Sequence, residues 1–222
     1  MERSPGSAPP GVSARFWALL QAEDLGEVLD VGTGTGRIAL AVAPRARRVL
    51  GVDRDAVALA EARRQAADAG VANVEFAEID AEARADFVDL TPTWKRPTLV
   101  IAHLCVSEAI IAAASRTLTP GQALALVALH VDQWRETGRR SRFAYDADTA
   151  REQLQRHGFT IEHLEVEEEV QRFESVEQGL AAAVGLAEKW KSDGRWFRYI
   201  KFLEDGGRTL TRSQLMATAR RT

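Results

Sequence analysis

The sequence predicts an α/β fold, a doubly wound Rossmann-like sheet with helices on both faces. Three observations carry this. Short apolar runs alternate with stretches of helical composition from residue 27 to residue 130. A glycine turn, Gly32-Thr33-Gly34-Thr35-Gly36, joins the first apolar run to a helix-like segment. Acids stand at the ends of the first three strand-like runs, as Asp30, Asp53 and Asp80.

Residues 1–12 are rich in Pro, Gly and Ser and lack apolar periodicity, so they are expected as a disordered leader before a single domain over 13–222. Ser13 suits a helix N-cap ahead of the stripe Phe16, Trp17, Leu19 and Leu20, which Gly26 stops. Glu27–Val31 is the first strand, and the glycine turn leads into a helix over Arg37–Ala43. Val49–Asp53 is the second strand, followed by a helix over Asp55–Ala69 that ends at Gly70. Val74–Ile79 is the third, closed by Asp80. Thr98–Cys105 is the fourth, almost wholly apolar, as a strand covered on both faces should be. Ser107 caps a helix over Glu108–Leu118, Pro120-Gly121 turns the chain, and Ala123–His130 is the fifth strand. Asp146 or Asp148 caps a helix ending at Gly158, and Phe159–Val170 alternates apolar with acidic positions like a half-exposed strand. The last strand is placed at Gln214–Ala219. Before it, Trp196, Tyr199, Ile200 and Leu203 have helical spacing, and ten of the fifteen aromatic residues follow residue 130, so segments near 131–146 and 174–208 are expected to be lid-like.

A chain of 222 residues with 45% hydrophobic content can bury roughly 70% of its unfolded surface in one domain. Its 29 basic and 32 acidic side chains give a net charge of -3, without the basic excess of a dedicated nucleic-acid binder. No run of about 18 apolar residues exists and the first residues lack a signal-peptide core, so a cytoplasmic protein without a membrane partner is expected. Cys105 is the only cysteine, which excludes an intrachain disulfide, and beside four histidines it forms no zinc pattern; no metal is expected. Nothing in the composition sets the oligomeric state.

Alternate glycines after a strand permit positive φ and let a ligand approach the backbone where no Cβ intervenes. Asp53 ends the next strand 19 residues after Gly34, where a doubly wound sheet places an acid for ribose hydroxyls. Asp80 falls on the same edge and suits an exocyclic amine, although a strand-end Asp also serves as a helix cap. A dinucleotide site needs G-x-G-x-x-G/A, and Arg37 stands where its third small residue belongs.

VLDVGTGTG, GVD, VEFAEIDA, TLVIAHL and the TLTPG turn resemble the successive motifs of class I S-adenosylmethionine-dependent methyltransferases, from about residue 14 to the end. The tail, HGFTIEHLEVEEEV and RFESVEQGL, is similar to a small-molecule branch that includes ubiquinone-biosynthesis, biotin-biosynthesis and trans-aconitate methyltransferases. The resemblance implies S-adenosyl-L-methionine as cofactor and a seven-stranded sheet of order 3-2-1-4-5-7-6 with an antiparallel final strand. It further implies that Asp30 helps hold the methionyl amino group and that Gly32, Thr33, Gly34 and Gly36 form the loop under the cofactor. Asp53 would bind the ribose hydroxyls, and Asp80 and Ala81 would meet the adenine. The residue after the ribose acid is often apolar in the family; here it is Arg54, whose planar group can stack on the base instead.

Methyl transfer from a sulfonium is an in-line displacement in which the protein chiefly aligns the partners and excludes water, so a base is optional. His103, ending the fourth strand, is the candidate base, or else a contact to the cofactor. His130 ends the fifth strand beside Asp132 and is a second candidate for the cleft. Arg135, Arg139, Arg140 and Arg142 suit an anionic acceptor or a solvated loop. The fourth strand is not followed by an Asn-Pro-Pro-Tyr-like sequence, which argues against methylation of adenine or glutamine amino groups. The expected activity is methyl transfer to a small, anionic organic molecule. The alternatives are an NAD-dependent oxidoreductase and a non-catalytic protein that keeps the S-adenosylmethionine pocket.

Overall fold

The computed structural model describes residues 7–141 and 143–222. The first six residues of the expected leader, and Arg142, lie outside the described residues. Residues 7–12 do not continue as a loose leader: Val12 donates its N–H to the Pro9 carbonyl at 3.1 Å and buries its side chain in the same core cluster as Phe16. The Ser13 hydroxyl then accepts the N–H groups of Arg15 and Phe16 at 3.1 and 3.4 Å and starts α1 (Ala14–Gln21).

The alternation follows as β1 (Glu27–Val31), α2 (Arg37–Val42), β2 (Arg48–Asp53), α3 (Ala56–Asp68), β3 (Val74–Glu78), β4 (Leu99–His103), α4 (Glu108–Thr117) and β5 (Ala123–His130). Asp55 caps α3 with 2.9 and 3.1 Å bonds from Val57 and Ala58, and Ser107 caps α4, as their residue types dictate. The remainder is β6 (Ala144–Tyr145), α5 (Ala147–Arg156), β7 (Phe159–Arg172), α6 (Val176–Ala183), α7 (Ala187–Asp193), α8 (Arg195–Glu204) and β8 (Thr209–Arg221).

The strands run in the order β3-β2-β1-β4-β5-β8-β7, the expected order once β6, an additional two-residue strand paired to β5, is set aside. Residues at the end of β8 bond to residues at the starts of its neighbours. Arg221 N–H reaches the Gln122 carbonyl at 2.9 Å, and Thr222 N–H reaches the Gly158 carbonyl at 3.1 Å, so β8 is the antiparallel strand. It is longer than its expected Gln214–Ala219, because Thr209, Thr211 and Ser213 pair within the sheet despite their polarity.

The chain divides into two compact units, one of residues up to Ala128 with Asp148–Leu164 and Met216–Thr222, the other of Leu129–Ala147 with Glu165–Leu215. In the first, Phe16, Trp17 and Leu20 pack with Val28, Val49, Leu59, Leu99 and Ile101 in one apolar core. In the second, Trp134, Trp190 and Tyr199 form edge-to-face pairs at 5.3 and 5.5 Å, with Phe173, Leu203 and Leu210 around them. The expected helical spacing is realised in α8, where Tyr199 and Leu203 are fully buried.

Candidate functional site

The parallel register brings the carboxyl ends of four strands to one edge of the first unit: Val31 pairs with Val52 and with Ala102, and Asp53 pairs with Glu78. The glycine turn leaves β1 at this edge. The N–H groups of Gly32 and Thr33 both donate to the Val52 carbonyl, at 2.8 and 3.0 Å, which ties the turn to β2. Gly32, Gly34 and Gly36 have φ of +68°, +54° and +80°, conformations that strain any residue with a Cβ.

The three glycines differ in what surrounds them. A Cβ on Gly32 would lie 2.3 Å from the Cys105 Cβ, and one on Gly36 would lie 2.9 Å from the Phe76 ring, so these two serve internal packing. A Cβ on Gly34 would meet nothing within 4 Å. That bare backbone stands beside an acid, and the Gly34 N–H donates to Asp53 Oδ2 at 2.8 Å. Asp53 Oδ1 accepts the Asp55 N–H at 3.0 Å, so both oxygens are fixed, each with a further lone pair for a ribose hydroxyl.

Asp30 is built into the turn itself. It exposes 1% of its surface, and its Oδ2 accepts the Thr33 hydroxyl at 2.7 Å and the Ala39 N–H at 3.2 Å. Burial pushes its pKa up to about 6 despite these bonds. Through this oxygen Asp30 braces the turn against α2, with the Thr33 hydroxyl as its donor. Asp80 is exposed, and its Oδ1 accepts the Glu82 N–H at 3.0 Å, capping the short turn Ala81–Ala83. Ala81 is buried and Arg54 exposed. Asp80 keeps its second oxygen for a donor such as an adenine amine.

His103 is buried at the carboxyl end of β4. It is 7% exposed, its ring centroid lies 5.8 Å from that of Phe16, and burial pushes its pKa down to about 4, far below the range suited to removing a proton at neutral pH. Its Nε2 is buried without a partner. Leu104, next in the chain, takes φ +60° and is 42% exposed, an uncommon conformation for a leucine. Cys105 packs on Gly32, and burial pushes its thiol up to about 11, so it is not a nucleophile at neutral pH. Neither Leu104's strain nor the Cys105 contact has a signature in the sequence, whereas Gly51, flanked by Leu50 and Val52, was a visible signal: a Cβ there would crowd Phe76 and the Thr33 hydroxyl.

The remaining candidates belong to the second unit. His130 Nδ1 lies 2.9 Å from the Ser213 hydroxyl, which anchors the ring to β8. Two of the arginines have internal work instead of forming a free cationic rim. Arg135 pairs with Glu168 at 3.2 Å, and Arg139 donates to the Asp193 carbonyl at the end of α7. Among the described residues no group of three or more His, Cys, Asp or Glu is arranged to hold a metal, and no helix is long and apolar enough to cross a membrane.

Comparison with known proteins agrees with this geometry. Residues 28–121 match a family model described as a methyltransferase domain. Over 77 residues the chain is 44% identical to the human tRNA (uracil-5-)-methyltransferase homolog A, a match that spans 35% of this chain and 11% of the human protein. Among solved structures it is similar to the YcgJ protein of Bacillus subtilis, with TM-score 0.70 and 14% identity over 93% of this chain and 97% of that one. It is also similar to an S-adenosylmethionine-dependent methyltransferase from Mesorhizobium loti, with TM-score 0.56 and 20% identity over 92% and 97%. The strand order and the glycine turn agree with the match of residues 28–121 to a methyltransferase domain, and the fold is that of the solved structures named above.

Proposed function

We propose that this enzyme methylates a small organic molecule, with its cofactor seated over the turn Gly32–Gly36. The observation that carries the cofactor placement is Gly34, with open space over its Cα and its N–H fixed to Asp53. On this reading Asp53 accepts the ribose hydroxyls, Asp80 and Ala81 border the adenine, and Arg54 covers its face. The bound cofactor supplies an electrophilic methyl group on a sulfonium. The chain contributes alignment and a dry surround. His103, neutral at physiological pH, serves as a hydrogen-bonding contact and not as the proton acceptor.

A small acceptor is favoured over RNA by charge. The net charge is -3, without the basic excess that binding to RNA phosphates calls for. With Arg135 and Arg139 engaged internally, the case for an anionic acceptor is weaker than the sequence suggests. The test is release of S-adenosylhomocysteine from S-adenosylmethionine with a panel of small hydroxyl, amine and carbon acceptors, beside bulk tRNA. Turnover is expected with a small molecule and abolished in Asp53→Ala. RNA-dependent turnover with none on small molecules would overturn the proposal.

A further inference from the structure

Arg195 opens α8 and exposes 7% of its surface. Its Nη1 pairs with Asp193, its Nε donates to the Arg139 carbonyl at 3.4 Å, and its Nη2 donates to the Arg140 carbonyl at 3.4 Å. All three guanidinium nitrogens are engaged, so Arg195 holds the loop and takes no ligand itself. The peptides that follow Arg139 and Arg140 are trans, which sets each N–H opposite to its carbonyl. The N–H groups of Arg140 and Ser141 consequently point away from the buried guanidinium, and no acceptor among the described residues meets them. Successive N–H groups turned outward form a concavity that binds anions.

Cationic side chains surround the same stretch. Gly138, at φ +60°, precedes it, and a Cβ there would meet one atom within 4 Å, Arg198 Nη1 at 3.9 Å. Arg139, Arg140 and Arg198 are exposed, and neither Arg140 nor Arg198 makes an ion pair among the described residues. The acids bonded to this segment are engaged, Asp193 by Arg195 and Glu168 by Arg135. Guanidiniums crowded on one loop repel each other, and an anion among them removes that repulsion. A phosphate monoester carries about -1.5 to -2 charges at pH 7 and three acceptor oxygens, enough for both N–H groups and a guanidinium fork together. A carboxylate has two oxygens and one charge.

We propose that the stretch Gly138–Ser141 binds the phosphate group of a small phosphomonoester. The N–H groups of Arg140 and Ser141 and the side chains of Arg140 and Arg198 are its donors. Arg195 is the positioning residue, since it turns the loop carbonyls away from the anion. The site belongs wholly to the second unit and does not rest on where the cofactor sits.

The test is amide NMR of the isotope-labelled full chain, titrated with inorganic phosphate, acetate and a short RNA at fixed ionic strength. Saturable shifts of the Arg140 and Ser141 amides are expected with phosphate, with acetate weaker by at least about fivefold. Arg140→Met and Arg198→Met, both at exposed positions, should each weaken phosphate by about 3- to 10-fold at unchanged Tm. Arg195→Lys keeps the charge but cannot hold both carbonyls, so it should weaken phosphate by a similar factor, a loss that a purely electrostatic patch would not show. Amides that do not shift saturably, or unchanged phosphate affinity in the double variant Arg140→Met with Arg198→Met, would overturn the proposal. Acetate binding as tightly as phosphate would overturn the assignment to a phosphate group, and RNA binding at these amides more tightly than phosphate would overturn the assignment to a small ligand.

Discussion

Replacing Gly34 by alanine separates what the glycine turn does for the fold from what it does for the ligand. Gly34 has φ +54°, so the added Cβ costs about 1–2 kcal/mol of backbone strain, but it meets no protein atom within 4 Å. Gly32→Ala carries similar strain and also drives its methyl to 2.3 Å from the Cys105 Cβ, which adds about 1–3 kcal/mol of overpacking. In a domain of this size each kcal/mol lowers Tm by about 2–4 °C. Gly34→Ala is therefore expected to melt only slightly early and Gly32→Ala clearly earlier. Binding should reverse the emphasis, because the Gly34→Ala methyl fills the bare floor: S-adenosylhomocysteine affinity is expected to drop at least tenfold, about 1.4 kcal/mol. Thermal melts and calorimetry on the same preparations measure both effects. Normal S-adenosylhomocysteine affinity in a folded Gly34→Ala would refute the placement of the ligand, and equal melting of the two variants would refute the packing assigned to Gly32.

Asp53→Ala should weaken S-adenosylhomocysteine by about 2–4 kcal/mol in calorimetry, since two charge-assisted bonds to the ribose would be lost along with the brace on the Gly34 N–H. Asp30→Ala leaves the Thr33 hydroxyl and Ala39 N–H without their buried partner, so urea unfolding should show a loss of about 1–3 kcal/mol. His103 titrates near 4 in the folded chain against 6.5 unfolded, so the folded state binds fewer protons between those values, and stability is lost as pH falls through that window. Asp30, raised from 3.8 to about 6, acts in the opposite sense, its stabilisation being lost as pH rises. His103→Phe removes only the first effect and should gain about 2–3 kcal/mol on wild type between about pH 7.5 and 4.5; a pH-independent difference would show that the ring is not buried neutral.

Four of the five parallel strands were legible as short, largely apolar runs bounded by turn residues, a pattern that burial on both faces demands, while the part-buried edge strand β3 was legible from its place in the alternation. β6 was not, since two residues carry no period. β8 was cut short because Thr209, Thr211 and Ser213 near its start are polar yet buried or half-buried, bonded to the side chains of Glu136 and Gln133. Spacing along the chain suggested that Gly34 and Asp53 meet, and a hydrogen bond joins them. The burial of Asp30 and His103 had no such signal: contacts with Thr33 and Ala39 close over the first, and Phe16 lies against the second. Arg37 was visible only as an argument against a dinucleotide, since its clasp to Pro10 joins residues 27 positions apart.

The central claim is that the floor of Gly34 and the carboxylate of Asp53 hold S-adenosylmethionine. Equilibrium calorimetry of the full chain with S-adenosylmethionine, S-adenosylhomocysteine and NADH tests it most directly. The account predicts saturable one-site binding of the first two, no heat from NADH, and binding weakened by about 2–4 kcal/mol in a folded Asp53→Ala. Binding of NADH in place of the sulfonium, or equal S-adenosylhomocysteine affinity in wild type and Asp53→Ala, would contradict it.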